Sequence, residues 1–332
     1  MRTHRSTITT TVVLTLVLSV PVGRAEDLSW RRPLSNRNQF PIALQFISLK
    51  PESATALTKN DFRFVFNFDY SNTIIDRSND LESLSLDMEH LSTEVRFHAG
   101  LGKGVELGVA FPFYVMYGGF LDPFISGYHD AFGFPNEVRG RTPDNLFQYR
   151  YEVDESPVLE RNEGSSAIGD ITFSAKKAVL ENDKNAVAFR AAVKLPSGSP
   201  EKLTGSGKTD FGIGLAASRV GERFGGYFNI NYHFLGKTDS LDTKDYLSLM
   251  AAFDWRFRTT LAAVFQYEVQ QPSLKSQLPL LANPAHQLVL GLRWRKSDRF
   301  QFEWRLAEDI SEAGPDITVA FEWTIHWAGS KT

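Results

Sequence analysis

Residues 62–68 read FRFVFNF, with a phenylalanine at every second position. Successive side chains of a β-strand point to opposite faces, so this spacing places all four aromatic rings on one face. The same alternation recurs at residues 105–117, 222–235, 244–258 and 315–328. A period of two that returns along most of the chain predicts an all-β protein with antiparallel strands.

The alternating runs are long, about 10–15 residues, whereas strands of soluble proteins average roughly 5–6. A strand that crosses a bilayer needs about 9–11 residues. Aromatic side chains stand near the ends of the runs, as they do at the two interfaces of a membrane barrel. These aromatic residues are Tyr117, Phe234, Trp255, Phe257, Trp294 and Trp327. We therefore predict a transmembrane outer-membrane β-barrel, with a large soluble β-sandwich as the alternative.

The links between the runs give the number of strands. The candidate extended segments are 61–70, 84–99, 105–117, 145–154, 167–180, 185–195, 208–219, 222–235, 244–258, 259–271, 285–296, 299–309 and 315–328. Bacterial barrels have an even number of strands, short periplasmic turns and longer outer loops. Short and long links alternate throughout if 145–154 lies outside the wall. This predicts twelve strands, or fourteen if residues 41–49 join the sheet.

Strand 84–99 contains an apparent change of phase. Leu84, Leu86 and Met88 alternate on even numbers, whereas Val95 and Phe97 continue on odd numbers. One extra residue near position 90 would restore the faces, so we predict a β-bulge there.

Three segments are predicted to lie outside the wall. Residues 1–25 have the charged start, apolar middle and small-x-small end of a cleaved signal peptide. Residues 26–60 are expected to form a periplasmic segment that crosses the mouth of the barrel (61–328) or trails from it. Residues 118–166 form a long outer excursion. Within it a short helix is predicted, because apolar side chains recur at helical spacing at Leu121, Phe124, Ile125, Tyr128 and Phe132.

Composition excludes several classes of protein. The 332 residues carry 36 Lys and Arg against 39 Asp and Glu, a formal net charge of −3. Nucleic-acid binding needs a concentrated basic surface, so no nucleic-acid partner is predicted. Cysteine is absent, which excludes disulfides, thiolate metal sites and a cysteine nucleophile.

The inward faces of the predicted strands carry charges of both signs. The predicted lumen-lining residues are Glu94, Arg96, His98, Glu106, Arg190, Lys194, Asp254, Arg256, Glu268, Arg293, Arg295, Glu303, Arg305 and Glu322. Acidic and basic residues are nearly equal in number, which favours paired charges, because an unpaired charge in a confined space is costly. A strongly selective pore would instead use rings of one sign.

The outer excursion supplies a second candidate site, made of Asp122, His129, Arg139 and Arg141. These side chains are expected either to bind a ligand or to fix the excursion to the barrel rim. A metal site is not predicted, because a third clear ligand is missing.

Enzymatic motifs are absent from the sequence. It contains neither a G-x-S-x-G elbow nor H-E-x-x-H, and the outward-facing His286 is the main candidate for a hydrolytic histidine. We predict that the protein is not an enzyme and has no cofactor.

Three stretches resemble a known family. They are Arg37-Asn38-Gln39, the pair Asp87 and Glu89, and the block 119–133 with Asp122 and His129. Together they are similar to the uncharacterised outer-membrane family called domain of unknown function 3187. Residues 194–198 with 205–210 also resemble a strand-loop-strand of outer-membrane proteins of aromatic (meta-pathway) degradation. The resemblance implies a location in the cell outer membrane and, from the second family, transport.

Three functions remain open at this point. The leading hypothesis is a passive channel or binding barrel for a small solute. The alternative is a plugged structural or surface-interaction barrel, and the third is a membrane-embedded hydrolase. The expected partners are outer-membrane lipid, the barrel-insertion machinery and a small-molecule solute.

Overall fold

The computed structural model describes residues 30–133, 138–311 and 313–328, with all side chains except those of Tyr128, His129 and Phe132. The predicted signal peptide lies outside the described residues and stays a prediction. No helix in these ranges is long and apolar enough to cross a membrane.

Fifteen strands form one continuous sheet. They are β1 (Phe62–Ser78), β2 (Glu82–Gly102), β3 (Val105–Tyr117), β4 (Gln148–Val153), β5 (Ser156–Arg161), β6 (Ser165–Ile168), β7 (Thr172–Glu181), β8 (Asn185–Lys194), β9 (Asp210–Val220), β10 (Phe224–Phe234), β11 (Tyr246–Arg258), β12 (Leu261–Gln270), β13 (Ala285–Arg295), β14 (Phe300–Asp309) and β15 (Ile317–Trp327). The helices are α1 (Asp122–Phe132), α2 (Pro279–Ala282) and two 3₁₀ turns, Ala43–Gln45 and Arg139–Arg141.

Twelve of these strands form a closed barrel. The strands β1, β2, β3 and β7 to β15 pair in antiparallel order, and β1 meets β15 with Phe62 opposite Trp327. The predicted count of twelve is confirmed. The alternative of fourteen is wrong, because residues 41–49 contain a 3₁₀ turn and no strand.

The two ends of the barrel differ. Short links at 103–104, 182–184, 221–223, 259–260 and 296–299 define one end, which we call the turn end. The longer links and the excursion define the opposite, loop end. Outer-membrane barrels place short turns in the periplasm, so we expect the turn end to be the periplasmic one.

The outer face of the wall is apolar. Phe64, Phe66 and Phe68 are each 37% exposed, whereas Val65 and Asn67 between them are 2% and 1% exposed because they point inward. The pattern agrees with contact between the phenyl rings and acyl chains. Alternation in 62–68 therefore separates a lipid-facing surface from a lumen-facing one.

The loop end extends farther than the sequence predicts. Residues 71–83 were expected to form a loop, but β1 and β2 continue as a paired hairpin and only 79–81 form the link. Polar residues such as Asn72 and Ser85 occupy the outward face of this extension, so the alternation of apolar and polar residues fades there. Residues 145–154, predicted to lie outside the wall, supply β4, which pairs with this extension of β2.

The predicted β-bulge near position 90 is wrong. Partners in β1 and β2 follow each other without a shift from Phe62 opposite Ala99 to Ser78 opposite Ser83. Even-numbered residues face inward along the whole of β2; what changes is the environment inside. Leu84, Leu86 and Met88 enter an apolar cluster at the loop end, whereas deeper positions are polar.

Residues 30–60, which we call the inner segment, lie inside the barrel. They neither cross its mouth nor trail from it, which were the two positions expected from the sequence. The segment rises from the turn end through residues 30–39, turns at 40–46 and descends through 47–60 to the start of β1. Trp30, Leu34, Phe46 and Ala54 are all buried at 2% exposure or less. The sequence of the segment has no period of two, so alternation could not predict that the segment lies inside the barrel.

Candidate functional site

The rising arm of the inner segment is anchored at the turn end by a buried ion pair. The guanidinium of Arg31 donates from Nε to Asp254 Oδ2 at 2.8 Å and from Nη2 to Asp254 Oδ1 at 2.5 Å, and both side chains are 0% exposed. Arg32 forms a second ion pair with Glu322 at 2.7 Å. Farther up, Gln266 accepts from the backbone N–H of Leu34 at 2.8 Å and donates to its carbonyl at 2.9 Å.

The turn at the top of the inner segment is organised by Arg37. Its Nη2 donates to the carbonyl oxygens of Ala43 (3.0 Å), Leu44 (2.8 Å) and Phe46 (2.8 Å), and Nη1 donates to Tyr114 Oη at 3.1 Å. These bonds satisfy carbonyl groups that a tight turn leaves unpaired. Arg37, which the family resemblance singled out, therefore holds the turn closed.

An apolar cluster fills the lumen above this turn. It is built from the turn itself, the inner faces of β2 and β3 at the loop end, β4 and the long loops. Its members are Phe40, Ile42, Leu44, Phe46, Leu84, Leu86, Met88, Tyr114, Met116, Phe147, Tyr149, Tyr151, Leu203, Leu241, Leu274, Leu278, Leu280 and Leu281. Burial of this much apolar surface closes the loop end of the lumen.

Glu82 fixes the outer parts of this cluster to β2. Its carboxylate accepts from Tyr151 Oη (2.9 Å), Ser276 Oγ (2.7 Å) and the backbone N–H groups of Gln277 (2.7 Å) and Leu278 (2.9 Å). Burial and the hydrogen bond to Glu82 raise the pKa of Tyr151 to about 12. One carboxylate thus joins the β4 hairpin and the loop before α2.

The descending arm is held mainly by wall side chains that bind its backbone. Asp210 accepts from the N–H of Ile47 at 3.0 Å, and His233 Nε2 accepts from the N–H of Leu49 at 3.2 Å. Nearer the turn end, Ser218 Oγ accepts from the N–H of Ala54 at 2.9 Å, and Glu106 Oε2 accepts from the N–H of Leu57 at 2.9 Å. The arm therefore pairs with side chains and adds no strand to the sheet.

The predicted lumen-lining residues all lie on inward faces of the wall. Those that are buried are Glu94, His98, Glu106, Arg190, Lys194, Asp254, Arg293, Glu303, Arg305 and Glu322. Those that are partly exposed are Arg96, Arg256, Glu268 and Arg295. Most of them contact the inner segment or each other, and together they leave little of the lumen open.

Arg305 lies at the centre of one group of paired charges. It binds Asp69 at 2.5 Å and Glu303 at 3.3 Å, and Glu303 also binds Arg293 at 2.5 Å. Arg96 joins the same region through Glu322 at 2.5 Å. Each buried charge has an opposite charge close by, which offsets its loss of hydration.

The remaining predicted residues are Arg295 and Arg256 at the turn end and Glu268 nearer the loop end. Arg295 stacks its guanidinium 5.3 Å from the ring centre of Trp30, which is a cation–π geometry. Glu268 lies higher in the lumen and accepts from Gln266 Nε2 at 2.6 Å. Arg256 shares the inward face with Asp254.

A cavity lies between the descending arm and the wall strands β2, β3, β7 and β8. Its volume is about 80 Å³, which is room for several water molecules. Most of its lining side chains that carry a charge are cationic. The cations are Arg37, Lys50, Arg96, Lys176, Arg190 and Lys194, and the carboxylates are Glu52, Glu94, Glu106 and Asp170.

The outer excursion is fixed to the rim by the residues that sequence analysis considered as a ligand site. Asp122 begins α1 and binds Arg139 at 2.5 Å, and it accepts from the N–H of Asn145 at 2.8 Å. Arg139 also reaches Asp316 beside β15 at 2.6 Å. Two of the four predicted residues therefore act as an anchor.

The other two predicted residues of the excursion do not join this anchor in what the structure describes. Arg141 is exposed, and the side chain of His129 lies outside the described residues. The predicted short helix is present as α1, and on its apolar face Ile125 is buried whereas Phe124 is 70% exposed. No group of three or more potential metal ligands occurs among the residues searched, which are the described ones.

Glu89 provides a second anchor for the excursion. Its Oε1 accepts from the backbone N–H groups of Phe120 at 3.0 Å and Leu121 at 2.6 Å. Gly119 has φ +88, and a Cβ there would lie 2.1 Å from Glu89 Cδ. Only glycine fits this approach.

Sequence reasoning missed the polar residues that receive the inner segment. Lys176 has the same inward parity as its neighbours in β7, so alternation alone would have identified it. Asp210 and Asp170 stand at strand ends, and both bind Lys194. Lys50 and Glu52 belong to the inner segment, where no pattern was available.

His286, the candidate for a membrane hydrolase, pairs with an aromatic residue. Its Nδ1 lies 2.6 Å from Tyr267 Oη, while its backbone N–H donates to Ser311 Oγ at 2.9 Å. Ser311 contacts His286 only through the backbone in this arrangement, so the Ser–His side-chain pair of a hydrolase is not formed by these residues.

Comparison with known proteins places the chain in a family. The family model described as protein of unknown function, DUF3187, matches residues 8–327. The chain belongs to this family. The resemblance found in the sequence is confirmed, and no curated protein matches the chain.

The chain is similar to several solved structures of outer-membrane proteins. The COG4313 outer-membrane channel from Pseudomonas putida F1 is 13% identical, with a TM-score of 0.56, and the match covers 84% of this chain and 100% of that one. The NanC porin is 6% identical with a TM-score of 0.45, covering 80% and 100%. The P. putida toluene transporter TodX is 9% identical with a TM-score of 0.38, covering 88% and 94%. The protein is an outer-membrane β-barrel located in the cell outer membrane.

Proposed function

We propose that the protein is an outer-membrane channel for a small solute, closed in this conformation by its inner segment. The observation that carries the proposal is that the lumen is filled by a separate segment and not by the wall. That segment is bound through side chains of the wall and has no strand, so it can shift without breaking the barrel ladder. A charged cavity of about 80 Å³ already separates its descending arm from the wall.

The chemistry of the wall supports passage once the inner segment shifts. Inward positions such as Arg190, Asn229 and Glu94 are polar, and they bind the segment through bonds that water can replace. A lumen of this kind admits water and small polar solutes. The barrel shares its fold with an outer-membrane channel of P. putida.

The phenylalanine-rich outer face is the proposed site of contact with outer-membrane lipid. We further propose that the barrel-insertion machinery assembles it, as expected for an outer-membrane barrel.

A reversible cross-link tests whether the inner segment moves. Ala54 of the descending arm and Ala188 of β8 belong to one cluster of small buried residues, and the native chain has no cysteine. We therefore expect Ala54→Cys with Ala188→Cys to form a disulfide. In planar bilayers the oxidised double variant should be silent, and the reduced form should show the openings of the wild type. Each single cysteine variant serves as the control.

The plugged barrel is the second candidate, and the apolar cluster that closes the loop end favours it. Conductance distinguishes the two. If wild type and reduced double variant stay silent, and only removal of residues 30–57 produces current, the segment is a permanent plug. Openings in the wild type that oxidation abolishes establish a channel.

A further inference from the structure

The cavity beside the descending arm has more cations than its carboxylates can serve singly. Glu52 is shared by Arg190 at 2.9 Å and Lys176 at 3.2 Å. Glu94 is likewise shared by Lys50 at 2.8 Å and Arg96 at 3.1 Å. Six cationic side chains line the cavity against four carboxylates. Asp210 and Glu322 do not line the cavity, but they add a second carboxylate to Lys194 at 3.1 Å and to Arg96 at 2.5 Å. The ion pairs of the cavity are therefore nearly balanced, and a positive charge is left over only at a cation that has no carboxylate of its own.

The carboxylate of Glu106 is also shared among several partners. It is divided among Lys176 at 3.1 Å, Arg63 at 2.7 Å and His98 Nδ1 at 3.0 Å. Arg63 brings a further cation to the edge of the same group. A carboxylate that serves several partners neutralises each of them only in part.

Arg37 is the cation of this cavity that has no carboxylate partner and an unused hydrogen-bond donor. Within residues 30–133, 138–311 and 313–328 it forms an ion pair with no carboxylate; its bonds go to three carbonyl oxygens and to Tyr114. Its Nε is buried and has no hydrogen-bond partner in the described structure. A buried guanidinium N–H without an acceptor is costly, and an anionic oxygen would satisfy it.

We propose that this cavity binds a small monovalent carboxylate, which is the solute class of the channel. The cavity volume limits the ligand, or the part of it that enters, to a carboxylate with a short substituent. Arg37, a cation without a carboxylate partner in a confined space, attracts an anion and leaves a cation or a neutral molecule of the same size unfavoured. This inference rests on the proposed channel function, but the site can be tested without any current.

The test is a titration of the purified barrel in detergent micelles, measured by calorimetry. Sodium acetate is the probe, and acetamide is the control of the same shape without charge. We expect saturable heat with acetate and none with acetamide. Equal binding of the two, or no saturable acetate binding, would overturn the proposal.

A variant that adds a carboxylate to the cavity tests the site without removing any side chain that holds the inner segment. Ala192 lies between Arg190 and Lys194 on the inward face of β8 and lines the cavity. Ala192→Asp should weaken acetate binding about tenfold or more, equivalent to at least about 1.4 kcal/mol. It removes no side chain that holds the inner segment. If Ala192→Asp binds acetate as the wild type does, the site is not this cavity.

Arg32→Gln is the matched control. Arg32 is a partly buried, ion-paired arginine of the same segment, but it lies on the rising arm and does not line the cavity. Acetate binding should survive this substitution, and its loss would contradict the assignment. Acetate binding by a barrel that never conducts would overturn the channel alone, whereas conductance without binding would overturn the carboxylate site alone.

Discussion

At the scale of single residues, the lumen is organised by side chains that bind backbone groups. Arg37 gathers three carbonyl oxygens, Gln266 clamps both backbone groups of Leu34, and Glu89 receives two N–H groups of the excursion. Segments without regular structure must find such partners when they are buried. The polar wall therefore substitutes for the ladder that the inner segment lacks.

Gly119 offers a test of the Glu89 anchor. In Gly119→Ala the positive φ and the contact with the Glu89 side chain both become unfavourable, so the excursion should detach from the rim. We expect faster cleavage within 118–166 by protease added to intact cells.

Gly127→Ala is the control for that experiment. Gly127 lies in α1 with nothing within 4 Å of an added Cβ. Alanine should stabilise the helix there by about 0.8–1 kcal/mol. Cleavage of the Gly119→Ala excursion at the wild-type rate would contradict the role of Glu89.

At the scale of elements, the wall was predictable and its contents were not. Twelve strands followed from alternation and from link lengths, because every wall residue faces either lipid or lumen. The predicted loop at 71–83 and the predicted bulge near position 90 are wrong because the contrast between an apolar outer face and a polar inner face ends there. The hairpin of β1 and β2 continues beyond the predicted strand ends, and Leu84, Leu86 and Met88 face an apolar interior.

The candidate residues of the site also divide into wall residues, which could be predicted, and residues of the inner segment, which could not. Inward charges such as Arg305 and Glu303 were identified from parity, since the strand fixes where each side chain points. Arg31 and Lys50 of the inner segment, which pair with Asp254 and Glu94 of the wall, were not identified, because a segment without a period carries no directional information. Long-range pairing of this kind depends on the assembled barrel.

The β4–β5 hairpin should act as part of the cover over the inner turn. Replacing 146–162 by a short Gly-Ser link removes Phe147, Tyr149 and Tyr151 from the apolar cluster. Ala43→Cys, placed in the 3₁₀ turn, should then react quickly with a membrane-impermeant maleimide on intact cells. With the hairpin present the same cysteine should react slowly.

Lys237→Cys, on an exposed loop at the loop end, controls for access and orientation. It should react quickly in both backgrounds. Fast labelling of Ala43→Cys with the hairpin intact would show that the apolar cluster does not cover the turn.

At the scale of the whole molecule, charge is distributed in three layers. The outside of the wall is apolar, the lumen is filled with paired charges, and the loops carry exposed pairs such as Lys275 with Asp242. Salt weakens exposed pairs, because the Debye length falls to about 3 Å at 1 M, but it weakens buried pairs much less. The ion pair of Arg31 with Asp254 is buried, so salt should weaken it little.

We therefore expect 1 M salt to leave the inner segment in place. Urea unfolding in micelles should change by less than about 1 kcal/mol, the usual limit for exposed pairs. Asp254→Ala should instead lower the free energy of unfolding by about 3–5 kcal/mol, since it leaves Arg31 buried without its counter-charge. Release of residues 30–60 to protease by salt alone would contradict this account.

The inner segment enters and leaves the barrel by the same mouth. Trp30 and Asp61 both lie at the turn end, so the chain forms an inserted loop and is not threaded through the cylinder. Withdrawal toward the periplasm would need no passage of a free end and would leave no entanglement behind. The covalent link to β1 would then keep the withdrawn loop beside its own opening, so re-insertion would be an intramolecular event independent of protein concentration.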